Sequence, residues 1–105
     1  MKAIIHGKRY DTESAIQIAS ASSNVGRSDF GWWSEELYKT KRSGAYFLAG
    51  EGHARSQYAT NLGGGSWGAG EKITPMTRAE ALAWCEQHYL TDEIEAEFGA
   101  DIEDA

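Results

Sequence analysis

The sequence predicts an α+β fold: a small antiparallel β-sheet with helices packed mainly on one face. Three observations predict it. The run from Trp32 to Gly52, WWSEELYKTKRSGAYFLAGEG, is the densest apolar and aromatic stretch of the chain and reads as a β-hairpin. Further on, Thr77-Arg78-Ala79-Glu80 is a capping box that opens a helix with an apolar stripe. A chain of 105 residues, 41% of them hydrophobic, suits one domain with a core of its own. The expected organisation is a single domain over residues 1–99 and a short acidic tail at 100–105, flexible at its end.

Taken in order, Lys2 to Tyr10 reads as a short hairpin, with Ile4-Ile5 in the first strand, His6-Gly7 in the turn and Arg9-Tyr10 in the return. Asp11 or Thr12 then caps an expected helix, with Glu13 in its first turn and Ala15, Ile16, Ala19 and Ile18 as its apolar stripe, ending near Ser20–Ser22. Ser22 to Gly31 is a loop. In the central hairpin, Glu36–Lys41 and Ala45–Gly50 are the strands and Arg42-Ser43-Gly44 the turn. Tyr46 and Leu48 face one side and Ala45, Phe47 and Ala49 the other, as Leu37 and Lys39 oppose Tyr38 and Thr40. Gly52 to Ser56 is expected to form a single helical turn before Tyr58. Asn61 to Gly70 is expected to be the most flexible stretch, and Glu71–Thr74 the last strand, ended by Pro75. In the helix that follows, Leu82, Cys85 and Tyr89 form a stripe with Ala81, Trp84 and His88 beside it. A second helix has Thr91 as cap, Ile94 and Phe98 as its buried pair and Gly99 as its stop.

Charge is distributed unevenly. Residues 1–78 hold ten Lys/Arg and seven Asp/Glu, a net of +3, whereas residues 79–105 hold nine Asp/Glu and no Lys/Arg, a net of −9. A face that attracts nucleic-acid phosphates must be basic, so direct nucleic-acid binding is not expected. The acidic segment fits a partner that is itself basic, and it equally fits a merely solubilising surface. On the second helix Asp92, Glu93, Glu95 and Glu97 surround Ile94 and Phe98, and Glu86 precedes them. These five carboxylates are the expected partner-binding residues, placed where a nucleic acid's phosphates would lie on a basic groove. Lys39, Lys41 and Arg42 make the one clear basic patch, either a solvated turn or the tip of a nucleic-acid accessory protein that also uses exposed aromatics. Phe30, Trp32, Trp33, Tyr38, Tyr46 and Phe47 exceed what one small core face needs.

The Gly63-x-Gly65-x-x-Gly68 match to a dinucleotide fingerprint fails on context. No hydrophobic strand precedes it and no helix opens at Gly68. Trp67 in that loop is either an anchor for a partner or folded back on the core. Cys85 and His88 supply only two of the ligands that zinc needs, so no metal or cofactor is expected. His53, near Glu51, Arg55 and Ser56, is the one centre around which a small enzyme can be drawn. No nucleophile elbow, carboxylate pair or HExxH spacing supports it, and no catalytic residue is assigned. Met1 to Tyr10 lacks the apolar core of a secretory signal, no run approaches the ~20 apolar residues of a membrane span, and one cysteine fits a reducing compartment. A cytoplasmic protein without membrane contact is expected.

Several stretches together carry a resemblance. They are His6-Gly7-Lys8-Arg9-Tyr10-Asp11-Thr12-Glu13-x-Ala15, Arg27-Ser28-Asp29-Phe30, Tyr46-Phe47-Leu48-x-Gly50-Glu51-Gly52, and Gly70-Glu71-Lys72-Ile73-x-Pro75-Met76-Thr77 leading to Glu80-Ala81 and Trp84. In that order they resemble a family of small proteins of phages and mobile elements, some of them anti-CRISPR proteins. The resemblance spans nearly the whole chain. It departs from the family pattern in His6-Gly7, where that pattern has Asn-Gly, and in a longer glycine loop. It implies no catalytic motif. It implies an inhibitor that binds a Cas subunit in the host bacterial cytoplasm. Taken with the acidic segment, the expectation is that it binds a basic Cas effector subunit and blocks target DNA.

Overall fold

Period-two alternation decides the middle of the chain, and two covers on the resulting sheet decide the rest. A computed structural model describes residues 1–105. The strands are β1 (Lys2–Ile5), β2 (Lys8–Asp11), β3 (Ile16–Ser22), β4 (Trp33–Lys39), β5 (Tyr46–Gly52), β6 (Thr60–Gly63), β7 (Ser66–Gly68) and β8 (Gly70–Met76). The helices are α1 (Arg78–Gln87) and α2 (Thr91–Phe98), followed by a 3-10 turn at Gly99–Asp101. A four-stranded antiparallel sheet runs in the order β3-β4-β5-β8, and β1-β2 and β6-β7 are separate two-stranded hairpins. The fold is α+β, as the sequence predicts.

Strand β5 is central and buried on both faces. Its register with β4 sets Leu37 against Leu48 and Tyr38 against Phe47. Leu37, Tyr46 and Leu48 pack under the helices with Ala19, Ala81, Trp84, Cys85 and Phe98. Tyr38, Phe47, Ala49 and Ile73 face the other way and are covered by Tyr10 of the β1-β2 hairpin. Phe47 stacks on Tyr38 with ring centroids 5.3 Å apart and meets the edge of Tyr10 at 5.5 Å. The two apolar covers account for Tyr38, Tyr46 and Phe47 of the aromatic surplus, while Trp32 packs on His53 and Arg27 and Trp33 near His88. Trp32, Tyr38, Tyr46 and Phe47 are buried and Trp33 half-buried, while Phe30 stays on the surface.

The helix expected over Thr12–Ser20 does not form. Asp11 Oδ1 accepts from the Glu13 amide at 3.0 Å and the Ser14 amide reaches the Asp11 carbonyl, so the cap-like residues close a turn. Ile16–Ser22 is then a strand paired to β4, with a bulge between Gln17 and Ala19. Nor do residues 52–56 form a helical turn. Two successive tight turns close there, Ser56 amide to His53 carbonyl and Ala59 amide to Ser56 carbonyl. Asn61–Gly70 is ordered into β6 and β7, where Gly63, Gly64 and Gly65 all take the left-handed region (φ 87, 57 and 80°) to close the hairpin. Pro75 lies inside β8 rather than ending it, which an edge strand permits.

The capping box is complete. Thr77 Oγ1 accepts from the Glu80 amide at 3.1 Å and Glu80 Oε1 from the Thr77 amide at 2.9 Å. Helix α1 stops differently from expectation. Tyr89 does not continue the stripe: it takes the left-handed region at φ 57° and is 90% exposed. The Leu90 amide bonds to the Cys85 carbonyl and the Tyr89 amide to the Glu86 carbonyl, the pair of bonds that ends a helix in a left-handed residue. Leu90, not Thr91, caps α2, and Gly99 is right-handed, so the chain passes from α2 into the 3-10 turn without a glycine stop. Phe98 is fully buried and Ile94 packs beside it. No helix is long and apolar enough to cross a membrane.

Candidate functional site

The carboxylates of residues 79–105 divide into two groups. Glu80 is in the capping box. Glu97 Oε2 accepts from Lys39 Nζ at 2.8 Å and from the Tyr46 hydroxyl, and Arg78 Nη1 donates to that hydroxyl at 3.1 Å. Arg78 Nε in turn lies 2.7 Å from Asp101 Oδ2. Burial pushes the Glu97 carboxyl up, but the bonds from Lys39 and Tyr46 and the charges of Lys39 and Arg78 outweigh it and hold it below the usual range. Burial and the bond to Glu97 push the Tyr46 hydroxyl up to about 12. Glu97 is therefore an internal clamp between α2 and the sheet, not a free docking charge. Glu86, Asp92, Glu93 and Glu95 are different. None has an ion-pair or side-chain hydrogen-bond partner in the chain; Glu86, Asp92 and Glu95 are exposed and Glu93 is half-buried. These four, with Glu103 and Asp104 of the tail, are the carboxylates of the segment that neither pair with a cation nor cap a helix. Asp92 and Glu93 line a cleft with Gln17, Ile18, Ala96 and the Lys39-bound Glu97 against strand β3.

At the other end of β3, His88, Tyr89 and Leu90 of the α1–α2 turn and Trp33 of β4, with Ser20–Asn24 of β3 and its exit, bound a groove of about 550 Å³. Trp33 and His88 rings lie 5.9 Å apart, and Trp84 meets His88 edge-on at 5.0 Å. Glu35 fixes this wall from behind. Its Oε1 accepts from Trp84 Nε1 at 2.9 Å and its Oε2 from the Tyr58 hydroxyl, and His88 Nε2 lies 3.8 Å away. Burial and the Glu35 bond raise the Tyr58 hydroxyl far above its ordinary value.

Trp67 is 55% exposed on β7, with Leu62 of β6 65% exposed beside it, so the tryptophan does not fold back on the core. The basic patch changes membership. Lys39 is bound to Glu97, and Arg9 of β2 joins Lys41 and Arg42 around a shallow cleft that also holds Asp11. His53 lies in a cleft with Arg27, Trp32, Glu51 and Glu71. Its Nε2 is 2.7 Å from the Arg27 carbonyl, which can only accept, so Nε2 carries the proton and donates. Ser56 Oγ donates to the His53 backbone carbonyl at 2.8 Å and not to the ring. Arg27 stacks on Trp32 at 4.7 Å. The cleft thus pairs no hydroxyl with the imidazole.

Sequence reasoning named Glu86, Asp92, Glu93, Glu95 and Trp67, which the chain leaves unpaired or exposed, and Glu97, which it does not. It missed Glu35, Tyr58, Tyr89 and the open side of β3. Only the last has a sequence signal, the uncharged run Ile16-Gln17-Ile18-Ala19-Ser20-Ala21-Ser22. Comparison with protein-family models, curated proteins and solved structures finds no match to this chain.

Proposed function

We propose that the chain is a protein-binding inhibitor that docks on a basic, nucleic-acid-handling surface of another protein and obstructs it. The target we propose is a subunit of a CRISPR–Cas effector, as the resemblance to phage and mobile-element proteins implies. One observation carries the docking surface: Glu86, Asp92, Glu93 and Glu95 stand on consecutive helices without a cation of the chain to neutralise them. Uncompensated like charge costs folding stability by self-repulsion, and its use is to steer and register a basic partner. Trp67 on its exposed hairpin supports the same reading as an aromatic anchor.

The test is target-DNA binding by purified type I effector complexes of several subtypes with the protein in excess. Loss of DNA binding by one subtype is expected. Reversing Glu86, Asp92, Glu93 and Glu95 together to Lys should abolish it while leaving Glu97 and the fold intact. Unchanged DNA affinity across all subtypes would sink the proposal. So would a gel shift of DNA by the protein alone that depends on Arg9, Lys41 and Arg42, which favours the accessory-protein alternative.

A further inference from the structure

The sheet has two edges, and they are built differently. Edge β8 carries Glu71, Lys72 and Pro75, residues that discourage another strand from pairing. Edge β3 carries no charge and no proline, and β4 is its only hydrogen-bonded neighbour. Its bulge lies at Gln17–Ala19, which leaves Ala19–Ser22 in regular register with Leu37–Ser34. The Ser23 amide bonds inward to the Trp33 carbonyl. By strand alternation the amides and carbonyls of Ser20 and Ser22 therefore point outward, and both residues are exposed.

This open edge is flanked along its helix side by two unlike surfaces. At its start, beside Gln17 and Ile18, stand Asp92 and Glu93. At its end, beside Ser20–Ser23, stand Trp33, Tyr89 and Leu90. Strand addition uses these features together: backbone bonds supply affinity and pockets for alternate side chains supply specificity. The charge of one pocket selects the occupant. A second copy of this chain would bring a −6 charge of its own to an acidic rim, whereas a cationic segment would neutralise it.

We propose that the outer edge of β3 accepts one extended segment of the partner protein as an added strand, with a Lys or Arg of that segment against Asp92 and Glu93 and an apolar side chain in the groove of Trp33, Tyr89 and Leu90. It takes from the proposed function the premise that the partner is a basic protein, and it names how part of that protein is held. Both pockets lie on one side of the sheet, so the two anchoring side chains are separated by an even number of positions.

A displayed library of random octapeptides, selected on the full chain, tests it. Selected sequences are expected to set Lys or Arg two or four positions from an apolar residue. Synthetic copies, measured by fluorescence anisotropy, should lose at least tenfold in affinity for Ser20→Pro and for the Asp92→Lys, Glu93→Lys pair. N-methylation of alternate peptide amides should abolish binding in one phase and leave it in the other, because one edge of the peptide faces β3. If Ser20→Pro fails to fold by circular dichroism, the N-methyl series decides alone. No enrichment overturns the proposal, as does binding indifferent to both Ser20→Pro and N-methylation. A dimer in solution that Ser20→Pro dissociates also overturns it, since a second copy then holds the edge. Effector inhibition lost on charge reversal but kept in a folded Ser20→Pro protein overturns strand addition and leaves the proposed function standing. Peptide capture on β3 without effector inhibition does the reverse.

Discussion

Lys39 Nζ lies 2.8 Å from Glu97 Oε2, joining the basic turn of the central hairpin to the acidic second helix. Both side chains are partly shielded, and the Tyr46 hydroxyl shares the same carboxylate oxygen. A hydrogen-bonded pair in this setting contributes about 2 kcal/mol, and Glu97→Gln should cost about that much in urea unfolding at neutral pH. The carboxyl is held below its ordinary value of 4.5, so the stabilisation is fully present above 4.5 and is lost as pH falls through the lower folded value. The gap between the native protein and Glu97→Gln should be constant near neutrality and close in acid. A gap that persists unchanged in strong acid contradicts the role given to Glu97.

Gly50 is required by a side chain that crosses it. A Cβ at Gly50 would collide with the ring of Tyr58, whose hydroxyl reaches over β5 to Glu35 on the neighbouring strand. Gly50→Ala should therefore cost about 2 kcal/mol or more, as overpacking does when the neighbour is fixed at its far end. Combining it with Tyr58→Ala should cost much less than the sum of the two single changes. Additive costs in thermal or denaturant unfolding would mean that Gly50 matters for another reason.

What was legible in the sequence was local. The Thr77–Glu80 box needs only four adjacent residues and reads directly. The division of Tyr46 and Leu48 from Phe47 and Ala49 needs only the strand period. Ile16–Ser22 misled for a physical reason. Its bulge puts Ile18 and Ala19 on the same side, against the helix-side core, which breaks the period of two and leaves spacings that mimic a helix. Asp11, Thr12 and Glu13 reinforce the mistake, since an Asp that closes a turn uses the same side-chain-to-amide bond as one that caps a helix. The candidate site was legible as charge but not as geometry. Glu97 and Glu95 look alike in sequence, and only Lys39, 58 residues away, separates the clamp from the free carboxylate. Glu35 gave no signal either, because its partners Tyr58 and Trp84 lie 23 and 49 residues distant.

Cys85 is fully buried beneath the helices, and burial, with Glu93 and Glu97 adding to it, pushes its thiol up to about 11. The thiolate is the reactive form, so labelling by a disulfide reagent at neutral pH should follow unfolding of the chain and be negligible without it. A fast labelling phase in the native protein, with no change in its circular dichroism, would place the thiol elsewhere.

Tyr89 offers the sharpest separation of stability from function. It occupies the left-handed position that ends α1, where glycine is the usual residue, and 90% of its surface is exposed. The left-handed conformation costs a residue with a Cβ about 1 kcal/mol, and an exposed ring recovers little of that by burial. Tyr89→Gly should relieve that strain. Part of the relief is offset by the greater freedom of glycine in the unfolded chain. The net expectation is a gain of about 0.5 kcal/mol in denaturant unfolding. If the ring is kept for the wall of the groove beside β3, the same change should weaken capture of the selected peptides severalfold while stability rises. Tyr89→Ala separates the two effects, since it removes the ring and keeps the strain: binding should fall as in Tyr89→Gly, with no gain in stability. Peptide affinity unchanged in both variants would remove Tyr89 from the groove's function and leave its conformation without a purpose that the structure explains.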